Sequence, residues 1–294
     1  MMMPIISLLL PTRGRPAFVE RLFQSIVETA ADSSRIEVVL YVDDDDVGSQ
    51  QLDSSVLRVI RIVGPRMSMG GYNSACLARA SGDIIMLVND DMFMRTKGWD
   101  QRLVELHQGF PDGVYLAYGD DLFKKRSLCT FPIVSRRVCE LLVAPYPVEY
   151  RGAFIDVHLF DIFKRLEHAG FDRLCYLDEV VFEHLTYRNG KAEMDETYKM
   201  RGRFEDDPTF IALAGARDAG AKRLLNALHP DSREAVELPL YCEYRPSSLV
   251  RAIVHFSKKL LFDGNLPLRW RFFLCYWFFG RYLAARGLLR PFVQ

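Results

Sequence analysis

Short apolar runs recur between residues 5 and 182, and polar or turn-forming residues bound each of them. Residues 84–88 are five apolar residues in a row, which is too few for a helix and typical of a strand buried on both faces. Runs of similar length lie at 5–10, 36–42, 57–63, 114–118 and 174–182. Segments with helical spacing lie between these runs. The alternation predicts an α/β fold with a mostly parallel, doubly wound sheet flanked by helices.

Carboxylates, with one amide, follow three of the predicted strands. They are Asn89, Asp90 and Asp91 after 84–88, the four aspartates 43–46 after 36–42, and Asp120 and Asp121 after 114–118. Ligands of open parallel sheets collect at the carboxyl ends of the strands, where carboxylates can hold a divalent cation. A solvated turn is the alternative, because Asn and Asp are also common turn formers.

Two glycine-containing turns supply cations near the same edge. The first strand ends in P-T-R-G-R-P, which places Arg13 and Arg15 where they suit phosphate or base contacts, although both could also be solvated surface residues. Residues 64–82 form a glycine-rich loop that opens onto a helix. Its Arg66 and the amides near Gly70 and Gly71 are expected to face a diphosphate. The loop lacks the G-x-G-x-x-G pattern, so a dinucleotide-binding fold is not indicated.

Three further residues are candidates for chemistry. Residues 151–170 have helical spacing and end at Gly170. Asp156 lies near the start of this helix, where a carboxylate can simply favour the helix dipole or can serve as a base, and Asp161 follows five residues later. His184 follows the run 174–182, and its interpretation as a structural histidine or as a metal ligand remains equally open.

Composition narrows the classes of protein. Lys plus Arg and Asp plus Glu each number 38, which argues against nucleic acid or another polyanion as a partner of the whole chain. The six cysteines show no C-x-x-C pair or metal-ligand spacing, and this favours buried thiols in a reducing compartment. The N-terminal apolar run is too short for a signal peptide or a membrane span, so we expect a cytoplasmic protein.

The C-terminal part has a different character, and we predict a domain at 1–207 followed by a helical extension at 208–294. Residues 251–294 contain eight basic residues and a single acid, Asp263. The aromatic segment 268–292 is interrupted by arginines, which argues against a membrane span. It suits a helix lying at a membrane surface on the inner face. A helix pair that covers the body or forms a homodimer contact is the alternative.

The motifs together resemble the glycosyltransferases of the GT-A fold, similar to the large inverting family 2, over roughly residues 5–198. The residues that carry the resemblance are P-T-R-G-R-P at 11–16, V-D-D at 42–44, Asn73 in the glycine-rich segment, N-D-D at 89–91 and E-H at 183–184.

The resemblance assigns roles residue by residue. It implies a nucleotide-sugar site formed by Pro11, Thr12, Arg13, Arg15, Asp43, Asp44, Arg66, Asn73, Asn89 and Asp90. It implies Asp91 and His184 as ligands of Mn²⁺ or Mg²⁺, with Asn89 standing where the family's D-x-D motif has its first aspartate. Asp156 resembles the acceptor-side base. The family's usual E-D pair is absent there, which leaves Asp161 as a possible substitute.

The implied activity is a metal-dependent transfer of sugar from a UDP- or GDP-sugar to an acceptor hydroxyl, with inversion. The implied acceptor is a glycan or a lipid-linked molecule in the synthesis of cell-envelope polysaccharide or glycolipid. The alternative is a catalytically degenerate GT-A domain that binds a nucleotide or glycan. A nucleotidyltransferase is disfavoured because T-R-G-R-P is too poor in glycine.

Overall fold

The computed structural model describes residues 5–186, 190–191, 202–229, 235–237 and 239–289. The chain forms two compact units, of which the first comprises Met1–Val157 and Leu174–Arg201 and the second His158–Arg173 and Gly202–Gln294. Residues 158–173 thus group with the C-terminal unit although they precede residue 207. The domain boundary at that residue stays a prediction.

The first unit contains an eight-stranded sheet in the order β3-β2-β1-β4-β7-β6-β8-β5. The strands are β1 Ile6–Thr12, β2 Ile36–Asp43, β3 Arg58–Gly64, β4 Ile84–Leu87, β5 Met92–Met94, β6 Leu116–Asp120, β7 Ile133–Ser135 and β8 Leu174–His184. Parallel pairing joins β3, β2, β1 and β4, and also β6 and β8, whereas β7 and β5 pair antiparallel with their neighbours. The predicted α/β fold with a mostly parallel sheet is confirmed.

Helices connect these strands where the sequence supplies start signals. They are α1 Pro16–Thr29, α2 Met69–Arg79, α3 Trp99–Gly109, α4 Arg136–Leu142 and α5 Ile155–His168. Pro16 starts α1 without losing a hydrogen bond, because the first amides of a helix have no partner within it. Ser68 caps α2 by accepting from the amide of Gly71, and Ser135 caps α4 by accepting from the amide of Val138.

The core of the first unit explains the apolar runs. Every residue of β2 is buried, and Leu8, Leu9 and Leu10 of β1 are fully enclosed. Trp99 of α3 meets the ring of Phe182 edge to face, with 5.8 Å between the ring centroids. Full burial of such side chains stabilises the fold by about 1.5–3 kcal/mol each relative to exposure. This packing fixes the strand ends that carry the acidic residues.

The second unit is helical in the part that the structure describes. Its helices are α6 Asp207–Ala212, α7 Ala214–Leu228, α8 Leu249–Phe256, a π-helical turn Ser257–Leu261 and α9 Leu268–Ala284, together with most of α5. The rings of Phe210 and Phe278 stack within it at 5.0 Å. None of the described helices is long and apolar enough to cross a membrane.

Candidate functional site

The acidic strand ends meet on one edge of the sheet. Strands β2 and β4 flank β1 and both run parallel to it, so their carboxyl ends and the turn after β1 point the same way. Asp43 ends β2, and Asn89, Asp90 and Asp91 follow β4. The backbone of Asn89 accepts from Met92 at 3.1 Å, which forms the turn into β5. The sheet therefore gathers the predicted donor-side residues at this edge.

The turn after β1 organises the consecutive aspartates. Arg13 Nη1 donates to Asp43 Oδ2 at 2.5 Å, and the same guanidinium holds both oxygens of Asp45. The amide of Gly14 donates to Asp46 Oδ2 at 2.6 Å. Hydrogen bonds from Asp45 and Asp43 raise the pKa of Arg13, and the bond to Arg13 lowers the pKa of Asp45. Four adjacent carboxylates are thus tolerated because an arginine and a backbone amide offset their repulsion.

Asp43 has a second partner that the sequence did not indicate. The hydroxyl of Tyr72 in α2 donates to Asp43 Oδ1 at 2.6 Å, while Asp43 itself is 1% exposed. Burial and this hydrogen bond raise the pKa of Tyr72, which keeps the hydroxyl a donor. Each Asp43 oxygen retains a further lone pair for a ligand. Tyr72 precedes the predicted Asn73, and that adjacency was the only signal for it in the sequence.

Asp90 ties the same turn to the end of β4. It accepts from the hydroxyl of Thr12 and from Arg15 Nη1, both at 2.9 Å. Burial raises the pKa of Asp90 to about 6, and the charge of Asp91 adds to the rise while Arg15 opposes it. Arg15 is only 8% exposed and also lies over the ring of Phe18. Arg15 and Thr12 therefore position the turn, and their contact with a nucleotide stays a prediction.

Asp91 and His184 are brought together by the β5–β8 pairing, in which Met92 lies opposite His184. His184 Nε2 lies 3.3 Å from Asp91 Oδ2, and the amide of Leu185 donates to the Asp91 carbonyl at 2.8 Å. The Phe131 ring packs edge to face on the imidazole at 5.3 Å. The predicted pair of metal ligands is therefore adjacent in space.

The donor set suits a divalent cation that is shared with a ligand. No group of three or more His, Cys, Asp or Glu side chains with metal-site geometry occurs among the described residues. One carboxylate and one imidazole fit Mn²⁺ or Mg²⁺ when phosphate oxygens and water supply the remaining positions.

The other donor-side residues lie around this edge with different exposure. Asn73 is 4% exposed within α2, whereas Asp44 and Arg66 are exposed and Pro11 is partly buried. The charge of Arg66 contributes to the lowered pKa of Asp45. The structure thus places Arg66 beside the aspartates of the β2 turn.

One expectation about the glycine-rich loop is wrong. The amides of Met69 and Gly70 donate to the carbonyls of Arg151 and Tyr150, both at 3.0 Å, and the amide of Gly71 donates to Ser68. These amides are engaged within the protein and do not face a diphosphate. A Cβ atom on Gly70 would lie 1.9 Å from the carbonyl oxygen of Pro147, so glycine permits this close approach.

The two candidate bases have different surroundings. Asp156 is partly buried at the start of α5, and its Oδ1 accepts from the amide of Val157 at 2.8 Å. Asp161 is fully buried and accepts from Arg217 Nε at 2.7 Å, Trp270 Nε1 at 2.8 Å and Arg165 Nη2 at 3.2 Å. Its arginines outweigh burial and lower its pKa. Asp161 is therefore fully buried and held by three donors, so Asp156 is the more accessible of the two candidate bases.

Comparison with known proteins gives the following matches. Residues 7–129 match the model of the family described as Glycosyl transferase family 2. The crystal structure of S. aureus TarS 1-349 in complex with UDP-GlcNAc has a TM-score of 0.54 at 13% identity, and the match covers 97% of this chain and 93% of that one.

Two further solved structures cover similar parts of the chain. The crystal structure of S. aureus TarS has a TM-score of 0.50 at 13% identity over 97% of this chain and 53% of that one, so this chain spans about half its length. The mannosyltransferase PcManGT from Pyrobaculum calidifontis, in complex with GDP-Man and Mn²⁺, has a TM-score of 0.48 at 14% identity over 97% and 76% of the two chains. No curated protein sequence matches the chain.

Proposed function

We propose that this chain is a glycosyltransferase with the GT-A fold, similar to family 2. It moves a sugar from a nucleotide-sugar donor to an acceptor hydroxyl. A divalent cation assists the transfer, and the configuration of the sugar inverts. The observation that carries the proposal is the convergence of Asp43, Asp90 and Asp91 with His184 at one edge of the sheet. Fold and enzyme class agree with the expectation from the sequence.

On the donor side, Asp43 would accept from the nucleotide base, and Arg13 and Tyr72 would hold that carboxylate in place. Arg66, Asp44 and Asn73 would line the rest of the nucleotide pocket. Their placement at one edge supports a nucleotide sugar as donor, and so does the complex of the similarly folded TarS with UDP-GlcNAc. A UDP-sugar and a GDP-sugar are both compatible with these side chains.

Asp91 and His184 would hold Mn²⁺ or Mg²⁺. A bound cation supplies positive charge that stabilises the diphosphate as it leaves. Asp90, already bonded to Thr12 and Arg15, would keep the N-D-D turn in the position that presents Asp91. Asn89 contributes no charge, so Asp91 is the carboxylate on which cation affinity depends.

On the acceptor side, Asp156 would take the proton of the acceptor hydroxyl as that oxygen attacks the anomeric carbon. The bond from the anomeric carbon to the diphosphate oxygen breaks in the same displacement, and the configuration inverts. Asp156 is partly buried and its Oδ1 bond comes from a backbone amide, which fixes the carboxylate without protonating it.

The second unit supports a site of action at a membrane surface. Large apolar side chains are exposed along α8 and α9, namely Leu249, Val250, Ile253, Val254, Leu268, Phe272, Phe273 and Tyr276. Lys258, Lys259 and Arg269 are exposed in the same stretch. We propose that residues 251–294 bind the inner face of an anionic membrane, where a lipid-linked or cell-envelope glycan acceptor is made. A homodimer through the same surface is the competing use.

A thermal-shift screen tests the donor site. The purified protein is heated with nucleoside diphosphates and sugar nucleotides, each with Mn²⁺, Mg²⁺ or a chelator. We expect one nucleotide class to raise the Tm, and the metal to enlarge that rise, because a ligand that binds the native state stabilises it. A response to nucleotide without transfer to any acceptor would indicate the degenerate binding module. No response to any nucleotide would contradict the proposal.

A vesicle-flotation assay tests the membrane contact. We expect binding to vesicles that contain phosphatidylglycerol, and loss of binding in Val250→Asp/Val254→Asp. The surface would instead belong to a homodimer if the wild type sedimented as a dimer, the double variant sedimented as a monomer, and neither bound vesicles.

A further inference from the structure

The segment after β6 carries three consecutive cations, Lys124, Lys125 and Arg126, and we call residues 122–130 the basic loop. All three side chains are exposed. Within the described parts of the chain none of them forms an ion pair, and two lie over rings of the same unit. Arg126 lies 5.0 Å from the ring centroid of Tyr176, and Lys124 lies 4.5 Å from that of Phe123.

A buried carboxylate holds the basic loop in one conformation. Asp121 is 2% exposed, and its Oδ1 accepts from the amides of Phe123, Lys124 and Lys125 at 2.9, 2.6 and 2.7 Å. Its Oδ2 accepts from the hydroxyl of Thr130 at 2.6 Å, which closes the loop.

The backbone of the basic loop is strained at two positions. Leu122 and Lys125 have φ values of 55° and 51°, in the left-handed region that costs non-glycine residues about 1–2 kcal/mol each. The bonds to Asp121 offset this strain. The cations are therefore presented by a loop that is ordered before any ligand arrives.

The basic loop runs between the two halves of the proposed site. At its start, the amide of His184 donates to the carbonyl of Asp121 at 3.1 Å. Near its end, Cys129 Sγ donates to the carbonyl of Asp156 at 3.2 Å, and Phe131 packs on His184. The basic loop and the residues that flank it, Asp121 and Phe131, thus contact both the proposed metal ligand and the backbone of the proposed base. The loop that carries the cations therefore adjoins the backbone of the proposed base Asp156.

The basic loop carries three exposed cations, and two carboxylates besides Asp121 lie near it. Asp120 is partly buried and accepts from the amide of Leu122 at 2.7 Å, and the exposed Asp178 lies close enough to act on Tyr176, whose ring Arg126 covers. The charge of Asp121 is directed at backbone amides and a hydroxyl. Three exposed cations in open solvent do not enclose one small anion. They suit an extended polyanion, because each cation can attract a different anionic group along the polymer.

We propose that the basic loop binds an acceptor glycan that carries repeated phosphate or carboxylate groups, with Lys124, Lys125 and Arg126 as specificity-determining residues. The inference rests on the proposed function, since it names the acceptor class of that site. The neutral charge of the whole chain does not oppose it, because the cations are local to one loop.

Fluorescence-detected titration of the protein with two anionic polymers tests the inference. Inorganic polyphosphate represents an acceptor with repeated phosphates, and oligogalacturonate represents one with repeated carboxylates. Neutral dextran is the control. We expect the protein to bind one of the anionic polymers, more weakly at high salt, and not dextran. The variant Lys124→Ala/Lys125→Ala/Arg126→Ala should bind it about tenfold more weakly. Arg79→Ala/Lys97→Ala/Arg137→Ala removes the same charge from exposed positions elsewhere in the first unit and should bind as the wild type does.

The outcomes separate this inference from the proposed function. Equal weakening in both triple variants, or no binding of either polymer by the wild type, would overturn the acceptor assignment. The nucleotide-induced rise in Tm should be the same in the wild type and in both variants. If no nucleotide raised the Tm of the wild type, that result would instead contradict the proposed function.

Discussion

His184 Nε2 lies 3.3 Å from Asp91 Oδ2, although the two residues are 93 positions apart in the sequence. The antiparallel pairing of the edge strand β5 with β8 produces this proximity, because Met92 of β5 is directly opposite His184 of β8. A carboxylate and an imidazole held this way by backbone bonds form a preorganised pair of cation ligands. The account of the donor site depends on this pair.

The network around Asp161 predicts a large stability effect in the second unit. Arg217→Met removes the 2.7 Å bond to Asp161 and the bond to the Phe210 carbonyl, and leaves a buried charge with less compensation. We expect a loss of about 3–5 kcal/mol in the free energy of unfolding, measured by urea denaturation. Lys222→Met, which removes an exposed partner of Asp218, should change it by about 0.5 kcal/mol or less.

The same network predicts how Asp161 acts. The double variant Asp161→Asn/Arg217→Met should recover part of the stability that Arg217→Met loses, because the buried charge is gone. If the pH profile of transfer by Asp161→Asn lost its acidic limb, where the base becomes deprotonated, while its stability matched the wild type, Asp161 would be the base after all.

The close approach at Gly70 predicts a packing cost. Gly70→Ala places a Cβ 1.9 Å from the Pro147 carbonyl oxygen, so the start of α2 must move away from residues 147–151. We expect a loss of about 1–3 kcal/mol in the free energy of unfolding. Gly109→Ala is the matched control, since its Cβ meets nothing within 4 Å, and it should be neutral or slightly stabilising. Equal effects of the two changes would contradict the packing explanation.

The hydrogen bond from Tyr72 to Asp43 predicts an effect on nucleotide affinity. Tyr72→Phe removes a 2.6 Å bond that fixes the carboxylate proposed to read the base. A bond to a charged group contributes about 1.5–3 kcal/mol, so we expect the Kd of the nucleoside diphosphate to rise about tenfold by isothermal titration calorimetry. Tyr276→Phe, at a residue 70% exposed, should leave it unchanged. An unchanged Kd in Tyr72→Phe would separate Asp43 from base recognition.

His158 predicts a dependence of stability on pH. Burial and the charges of Arg217 and Arg165 hold the pKa of His158 well below its ordinary value, against the opposing charge of Asp161. Below about pH 6.5 the unfolded chain therefore binds a proton that the folded chain does not, so the free energy of unfolding decreases as the pH is lowered. Above that pH His158 is neutral in both states, and this loss of stability is absent.

Urea denaturation at two pH values measures this effect. The contribution of His158 should drop by about 1.4 kcal/mol at one pH unit below its ordinary pKa. His158→Asn should lack this part of the pH dependence, and His168→Asn, at an exposed position, should retain it. If His158→Asn lost stability on acidification as steeply as the wild type, His158 would not be the source of this pH dependence.

The sequence predicted what depends on local pattern. Apolar runs predicted the buried strands, and their polar ends predicted an acidic edge where Asp43, Asp90 and Asp91 are indeed gathered. The proximity of Asp91 to His184 followed from the family resemblance alone, because no local signal in the sequence defines the register of the β5–β8 pair.

Long-range partners explain what the sequence could not predict. Asp161 shares a helix with Asp156, but its partners Arg217 and Trp270 are 56 and 109 residues away. The amides near Gly70 were expected to be open, yet they bond to residues 150 and 151, which no pattern connects with that loop. Tyr72 was missed for the same reason, since its partner Asp43 lies on another element.

Manganese binding measured by electron paramagnetic resonance, in the presence of the nucleoside diphosphate that stabilises the protein, tests the central claim most directly. We expect Asp91→Asn and His184→Ala each to weaken Mn²⁺ binding by at least about tenfold, or about 1.4 kcal/mol, while both retain the fold and Asp178→Asn binds as the wild type does. Unchanged Mn²⁺ affinity in both Asp91→Asn and His184→Ala would contradict the proposal that this pair holds the cation.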